Sequence, residues 1–493
     1  MKFKQEKGYF YKKKSDSAKK YLLINPPIVD TEELFLHNRY DPGPIGLLRV
    51  ANYLYTKNNY IRFFNFAYEK NLDKGVRWMF LPKRLKNDPY IPRGLYNWKN
   101  RIRWKKMKVG HFRWKQLFYF GKPFSTFIKE AKNIDPPDEI LIGSCMTYSC
   151  GAFPKLLKLL KELFPKSKIV LGGFTATLLL DEMKKMGFDN VHVGSYKEAD
   201  NFPPLYEIMD ILPKKAVLRL TKGCPRNCSY CAVPAIEGRK ITNFGFKQLR
   251  EQFIHLYNLG FRVFIFWDAN ILYAKKELKM FFDYLVKNKY DVKIDLHYGL
   301  EYNLLDDDTL KLFDYEIMIR RVIVPLESSI KDIYEGRFHK CKNHLKNIDN
   351  SIKKLRRMRY KIGFFVLAGM PRQTLDDLLK TILYGHLRGC KSIIMPFSII
   401  PKTEEYSRYK HLVEGKCLEE TNPNLFPYAS MDIRFKDLQD IIDIFHGTTL
   451  QKSSIGFYYL KDDWSYKRIP LLGFNNVMRR YIKLLKSMEK HIL

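Results

Sequence analysis

From residue 21 onward the chain alternates short apolar runs with amphipathic stretches. Tyr21-Leu-Leu-Ile-Asn-Pro-Pro27 predicts a buried strand stopped by prolines. Residues 44–58 predict a helix whose apolar face holds Leu47, Leu48, Val50, Ala51 and Leu54, and Ile61–Phe66 predicts a second strand. After an insert, Glu139–Ile142 reads as a strand, 153–164 as a helix, and Lys168–Leu171 as a strand running into Gly172-Gly173; Val191–Val193 adds another strand. Strands that alternate with helices imply a parallel, doubly wound sheet of the Rossmann-like kind, with its ligand crevice at the carboxyl ends of the strands.

Near residue 215 the rhythm changes. Val217–Leu220, Val263–Trp267, Lys293–His297, Arg321–Pro325, Ile362–Ala368 and Ser392–Pro396 read as strands. Helical periodicity fills 246–259, 274–288, 307–314, 344–358 and 374–387 between them. Such a succession predicts a partial (β/α)6 barrel, with its chemistry at the carboxyl ends of the strands. The fold class is therefore α/β. The expected domains are a basic tail (1–20), a Rossmann-like domain (21–205) with an insert at 70–122, the barrel (206–410) and a small, mainly helical region (411–493). In the last helix Met478, Tyr481, Ile482, Leu485 and Met488 line one face, while Arg479, Arg480, Lys483, Lys486 and Lys490 lie elsewhere. Such a face either caps the barrel or lies on a membrane surface.

The 493 residues are 46% hydrophobic, as a globular chain with large cores requires. Lys plus Arg exceed Asp plus Glu by 87 to 52, a formal charge of +35 that favours polyanions such as nucleic acid or an anionic membrane. A charge spread along the whole chain is equally the mark of lysines that merely solvate the surface. The insert concentrates the question. Trp78, Trp98, Trp104 and Trp114 are interleaved there with Lys and Arg. That mixture suits base stacking with phosphate contact, or a lipid headgroup layer, or an arm that packs its rings on a neighbouring domain. The basic N-terminus lacks the apolar core of a signal peptide, and no run of about 18 apolar residues reads as a membrane span. The expected location is the cytoplasm, with a peripheral membrane habit left open.

Eight Cys, most of them isolated, suit a reducing compartment. Three are clustered as Cys224-Pro-Arg-Asn-Cys228-Ser-Tyr-Cys231. A structural zinc site wants four ligands, and no fourth Cys or His lies in the loop or close after it. Three thiolates instead suit a [4Fe–4S] cube, which usually takes four Cys ligands; here one iron is left open to chelate a small molecule. This C-x3-C-x2-C loop, with the aromatic Tyr230 before the last Cys, resembles the signature of the radical S-adenosylmethionine (SAM) superfamily. The resemblance implies an oxygen-sensitive enzyme with SAM on the open iron, reductive cleavage to a 5′-deoxyadenosyl radical, and an external electron donor. Cys224, Cys228 and Cys231 would be both the metal ligands and the catalytic residues.

Other strand ends extend the resemblance. Phe266-Trp-Asp268-Ala-Asn270 and Val324-Pro-Leu-Glu327-Ser-Ser329 match places where the family sets polar groups near SAM. Gly369-Met-Pro371 resembles the glycine motif beside adenine, where glycine lets backbone approach a flat ring. For Asp268 the plain alternative is a helix-capping turn, and for Glu327 a local salt bridge.

Asn25-Pro-Pro27, Gly43-Pro-Ile-Gly-Leu47, Met146-Thr147-Tyr148 and Gly172-Gly173-Phe-Thr-Ala-Thr177 resemble the cobalamin-binding domain that precedes many such barrels. Cobalamin is thereby expected at Asn25, Ser144, Thr147, Gly172 and Gly173. The D-x-H-x-x-G motif that supplies a lower cobalt ligand is absent, so binding would be without His ligation. Cys145 and Cys150 are too few for the additional three-Cys cluster of methylthiotransferases. Cys341, Cys390 and Cys417, with His339 and His344 nearby, are either structural thiols or ligands of an auxiliary cluster. The expected activity is methyl transfer to an unactivated carbon, or a cobalamin-free radical modification. The substrate, whether small molecule, lipid or polymer, is not readable from the residues.

If the insert engages a polyanion, the protein binds RNA or anionic vesicles at low salt and releases them as salt rises. Replacing Arg101, Arg103, Lys105 and Lys106 together then weakens retention. Absence of binding to either at low salt identifies the basic surface as solvating only.

Overall fold

A computed structural model describes residues 4–15, 17–30, 43–66, 102–109, 113–210, 212–296, 300–415, 418–423, 433–452, 458–461, 466–468 and 476–489. The first domain is built on a seven-stranded sheet. Strands β1 (Lys4–Glu6) and β2 (Tyr9–Tyr11) form a hairpin; β3 (Lys20–Asn25) follows, and β4 (Ile28–Asp30) leaves the sheet. Helix α1 (Ile45–Thr56) leads to β5 (Tyr60–Asn65). The hairpin β6 (Ile102–Val109) and β7 (Arg113–Phe120) precedes α2 (Phe124–Ala131) and β8 (Glu139–Ser144). Helix α3 (Phe153–Leu163), β9 (Lys168–Gly173), α4 (Phe174–Leu178) and β10 (Asn190–Val191) complete the domain. The order is β1-β2-β5-β3-β8-β9-β10, parallel from β5 to β10.

The N-terminal segment is thus not a tail. Its two-residue turn, Lys7-Gly8, has positive φ at both positions, the geometry that matches strand twist. Tyr9 is buried and donates to the Asp135 carbonyl at 2.8 Å, and β2 pairs antiparallel with β5. Within the insert, β6 and β7 pair with each other and β7 with β4 in a separate antiparallel sheet. Trp104 and Trp114 fall on these two strands. Trp78, Trp98 and Arg101 lie outside the described residues.

The second domain begins at β11 (Ala216–Leu218). A short ladder of β12 (Thr221–Lys222) and β13 (Thr242–Asn243) brackets the cysteine loop and α5 (Val233–Glu237). Then come α6 (Gly245–Asn258), β14 (Val263–Phe266), α7 (Lys275–Lys287), β15 (Lys293–Asp295) and α8 (Asp307–Lys311). They are followed by β16 (Arg321–Glu327), α9 (His344–Arg357), β17 (Lys361–Ala368), α10 (Leu375–Leu387) and β18 (Lys391–Pro396). The six barrel strands form two parallel sheets, β11-β14-β15 and β16-β17-β18, joined by a parallel bridge between Ile294 and Met318. The barrel is open, with sequential strand order. Its central seam is also ionic: the fully buried Asp295 accepts from Lys215 at 3.2 Å and from Arg321 at 2.6 Å.

One apolar core runs through both domains. Leu48, Ala51 and Leu54 of α1 cluster with Leu205, Tyr206, Leu218, Leu220 and Phe266. Beyond the barrel, α11 (Glu404–Tyr409) precedes the C-terminal region. That region holds α12 (Phe435–Phe445), α13 (Asn476–Glu489) and, besides the helices expected, the antiparallel strands β19 (Thr449–Lys452), β20 (Tyr458–Lys461) and β21 (Tyr466–Arg468). Met478, Tyr481 and Leu485 of α13 are buried in the core that α10 shares, and the Tyr481 hydroxyl lies 2.7 Å from Nδ1 of His386. The amphipathic face is taken up by packing, which removes it as a membrane-surface element.

Gly173 sits where β9 passes close to β8. Its φ is +96°, and an added Cβ would stand 2.2 Å from the Ser144 carbonyl oxygen. Gly173→Ala is expected to destabilise the first domain by roughly 1–3 kcal/mol or more, from overpacking and backbone strain. A melting temperature equal to that of the parent protein would contradict this.

Candidate active site

The cysteine loop leaves β12 through Gly223, whose φ is +89° and whose Cβ, if present, would meet the Lys240 carbonyl oxygen at 2.2 Å. The Cys224 N–H donates to Gly238 O and the Cys231 N–H to Cys228 O, each at 3.1 Å. All three thiols are half-buried. Burial pushes Cys231 up to about 11 and raises Cys228; Cys224 adds to both and Cys228 to Cys231, while Lys340 acts in the opposite direction on both. Among the described residues no three His, Cys, Asp or Glu converge as ligands of one metal ion would. Three soft thiols that share one electrostatic neighbourhood, without meeting at a point, are a donor set suited to a polynuclear cluster. Bound iron would supply the positive charge that three buried thiolates need.

The loop is fixed from outside. Ser229 donates to the buried Glu405 carboxylate at 3.1 Å, and the Glu405 N–H donates to Ser229 O at 3.1 Å. Arg337 clasps the same carboxylate, Nε at 3.0 Å and Nη2 at 2.5 Å, and its Nη1 donates to Pro371 O at 2.8 Å. Pro371 therefore contributes a carbonyl to the scaffold. Gly369, with φ +81°, donates its N–H to Gln373 Oε1, while Gln373 Nε2 donates to Leu367 O, both at 2.9 Å. This clamps the glycine turn after β17.

Tyr230 packs edge-on to Phe338 at 4.8 Å, and Lys340 Nζ lies 5.9 Å from its ring centre. Glu327 sits at a bulge of β16 with φ +55° and pairs with Lys340 at 3.1 Å. Both side chains are buried, and Lys340 is raised above the usual lysine range: burial works against its charge, but Glu327 and Cys228 outweigh it. The salt bridge is real, and it stands beside the cysteine loop. Ser329 donates its N–H to Thr381 Oγ1 at 3.1 Å, tying the end of β16 to α10. Neutral His344, lowered to about 4 by burial, donates from Nε2 to Leu326 O at 3.2 Å.

Asp268 is no helix cap. Its Oδ1 accepts from the N–H of Leu220 at 3.0 Å, the Thr221 hydroxyl at 2.8 Å and the Thr221 N–H. It thus holds the chain just before the cysteine loop. Burial raises its carboxyl to about 6, against the hydrogen bonds from Thr221.

At the carboxyl edge of the first sheet, Asn25 donates to Asn65 Oδ1 at 2.7 Å. The Ser144 hydroxyl donates to Gly172 O at 2.6 Å and accepts from the Ala176 N–H, so it braces backbone. Thr147 is buried, and its carbonyl accepts from the Cys150 thiol. Gly172 faces open space. Met146, Phe174 and Val193 on this edge, and Trp267, Tyr273 and Met395 around the barrel's strand ends, are each 38–47% exposed. Lys402 donates to Thr177 O at 2.5 Å, and Asp200 pairs with Lys222 at 2.7 Å and with Arg219 at 3.4 Å. These links hold the two edges together.

Cys341 lies by Asn303 and Asn347, whereas Cys390 is buried near Arg356 and Arg388; they do not share a site. His339 pairs with Glu404 at 2.7 Å. Cys417 and His297 lie outside the described residues. Sequence reasoning missed Arg337, Lys340, Glu405 and Asp200. Only a Ser or Lys close to the Cys motif could have hinted at them.

Residues 218–384 match the model of the radical SAM superfamily. Among curated proteins, the ribosomal protein uS12 methylthiotransferase RimO of Thermodesulfovibrio yellowstonii is 23% identical over 67% of this chain and 82% of its own length. An uncharacterized methyltransferase of Synechocystis, sll1242, is 23% identical over 48% of this chain and 45% of its own. Among solved structures, the radical SAM methyltransferase TsrM of Kitasatospora setae, with cobalamin and a [4Fe–4S] cluster bound, covers 81% of this chain and 79% of its own. Its TM-score is 0.55 at 11% identity, a likeness of fold. The barrel is a radical SAM domain.

Cys228→Ala is expected to abolish iron retention after anaerobic reconstitution, and with it SAM cleavage. Glu405→Ala keeps all three thiols but leaves Arg337 buried and unpaired, a cost of about 3–5 kcal/mol, so it should lower iron retention as well as thermal stability. Full iron content in Cys228→Ala would remove these thiols as the ligand set.

Proposed function

We propose that this radical SAM enzyme is a cobalamin-dependent methyltransferase acting on an unactivated carbon. The observation that carries the reading is the pair of carboxyl edges tied together by Lys402 on Thr177 O and Lys222 on Asp200, each carrying exposed apolar side chains. Exposed Met146, Phe174 and Val193 suit the apolar face of a flat macrocycle, and the open Cα of Gly172 and Gly194 allows close approach. When bound, the cluster and SAM would supply the radical and cobalamin the methyl carrier.

The chain's own residues then do the following. Cys224, Cys228 and Cys231 would hold three irons of the cluster and leave the fourth for SAM. Lys340 and Arg226 place positive charge near the thiols, and each is held by a carboxylate, Glu327 at 3.1 Å and Glu301 at 3.0 Å. Asp268 and Glu405 fix the two sides of the loop. Trp267 and Tyr273 present aromatic surface at the mouth, where water must be kept from a radical. Methylthio transfer is disfavoured, because the first domain carries only Cys145 and Cys150. The cobalamin-free alternative draws on Ser144, whose hydroxyl is already bonded to backbone.

With D-x-H-x-x-G absent, the lower face of the corrin should carry no histidine. His192, at the end of β10, stacks on Tyr196 at 5.5 Å. Electron paramagnetic resonance of the Co(II) form is expected to lack coupling to an axial nitrogen. A nitrogen triplet would implicate His192 and overturn that geometry. SAM cleavage without any cobalamin binding would establish the cobalamin-free reading.

A further inference from the structure

Arg49 lies on α1, one turn from its start, in the interface between the two domains. It is 6% exposed, and its Nε and Nη2 are buried with no hydrogen-bond partner. These two groups form the side-on edge that clasps a carboxylate in two parallel hydrogen bonds. A guanidinium buried without a partner is costly, so its presence calls for an acceptor nearby. Leu48 beside it belongs to the same core cluster as Leu218, Leu220 and Phe266, which flank the chain held by Asp268.

Two carboxylates act on the charge of Arg49: Asp268 supports it, and so, less strongly, does Asp200. Asp200 is already engaged by Arg219, Lys222 and Ser195. Asp268 is different. It is 4% exposed, its Oδ1 takes the donors of Leu220 and Thr221, and its Oδ2 is buried with no partner. An uncommitted cationic edge and an uncommitted carboxylate oxygen thus occupy one interior neighbourhood without touching. A buried water placed between them would satisfy both.

We propose that Arg49 is a positioning residue of the radical-forming site, acting across the domain interface through a bridging water on Asp268 Oδ2. With Oδ2 anchored, Oδ1 is held against Leu220 and Thr221, and the entry to the cysteine loop is fixed three residues before Cys224. The helix that carries Arg49 belongs to the first domain. A ligand seated on that domain is therefore coupled to the geometry of the loop. This goes beyond the proposed activity and requires neither cobalamin nor an assembled cluster.

The test uses the cluster-free full chain under reducing, non-denaturing conditions. Alkylation rates are read by mass spectrometry at Cys224, Cys228 and Cys231, with the exposed Cys145 as reference. Arg49→Met and Asp268→Asn are each expected to speed the loop thiols roughly tenfold or more, the factor that a lost bond to a charged group gives. The double variant should be no faster than the faster single one, and Cys145 should be unchanged. Arg49→Lys, which keeps the charge but not the fork, should fall between wild type and Arg49→Met. Unchanged loop rates in the Arg49 variants, acceleration shared equally by Cys145, or multiplied effects in the double variant would each overturn the proposal. Since no metal is present in the assay, its failure is distinct from failure of the radical SAM reading. That reading falls only if the reconstituted wild-type chain takes up no iron.

Discussion

Glu405 is a carboxylate with no solvent exposure, and the site is assembled around it. A buried charge of this kind is tolerated only when every lone pair is met. Here Arg337 covers one edge, Arg408 reaches Oε1 at 2.9 Å, and Ser229 adds a hydroxyl. Each partner comes from a different part of the fold. Ser229 is in the cysteine loop, Arg337 follows β16, and Glu405 itself opens α11, whose N-cap Thr403 accepts from the Tyr406 N–H at 3.1 Å. Because Arg337 also holds the Pro371 carbonyl, the turn after β17 is tied to the same point. The cysteine loop, with little regular structure ahead of α5, owes its position to these tertiary bonds.

The same logic explains why the domains are not free of each other. Helix α1 belongs to the first domain by chain order, yet its apolar face is part of the barrel's core. Burying a Leu or Ile side chain is worth roughly 1.5–3 kcal/mol, and several contribute here, so rotation of one domain on the other would expose a large apolar surface. Polar links at the rim, Asp200 with Lys222 and Lys402 with Thr177, then set the local register of the two carboxyl edges.

How much of this the sequence could show follows from what each feature depends on. The barrel strands were legible because they are continuous apolar runs, and β17, predicted over 362–368, spans Lys361–Ala368. The N-terminal hairpin was not, because its strands have three residues each and Lys4, Gln5 and Glu6 read as surface; the only local clue was Lys7-Gly8 ahead of an aromatic triplet. The antiparallel strands after α12 are nearly as short, at three or four residues. The three cysteines announced themselves by spacing. Their supporting charges could not, since Glu405 stands 176 residues from Ser229 and 68 from Arg337. The Ser144 hydroxyl is a different case: its position at a strand end suggested a ligand contact, and the neighbouring strand also offers it an acceptor in Gly172.

The charges around the thiols also bear on the chain's strong positive balance. Near the cysteine loop, Lys340 is matched by Glu327 and Arg226 by Glu301, so the protein groups there are locally balanced despite a formal +35 overall. Balance of that kind is what a site needs if it must gain and lose an electron without a large change in local field: the cations are fixed by their own partners and cannot turn away when the charge of the centre changes. A surplus of lysine on the outside does not serve this purpose, because surface charge is screened over about 8–10 Å at physiological salt. The excess charge and the buried ion pairs therefore answer to different demands. The first concerns what the surface meets, and the second fixes the charges around the cysteine loop beside a low-dielectric core.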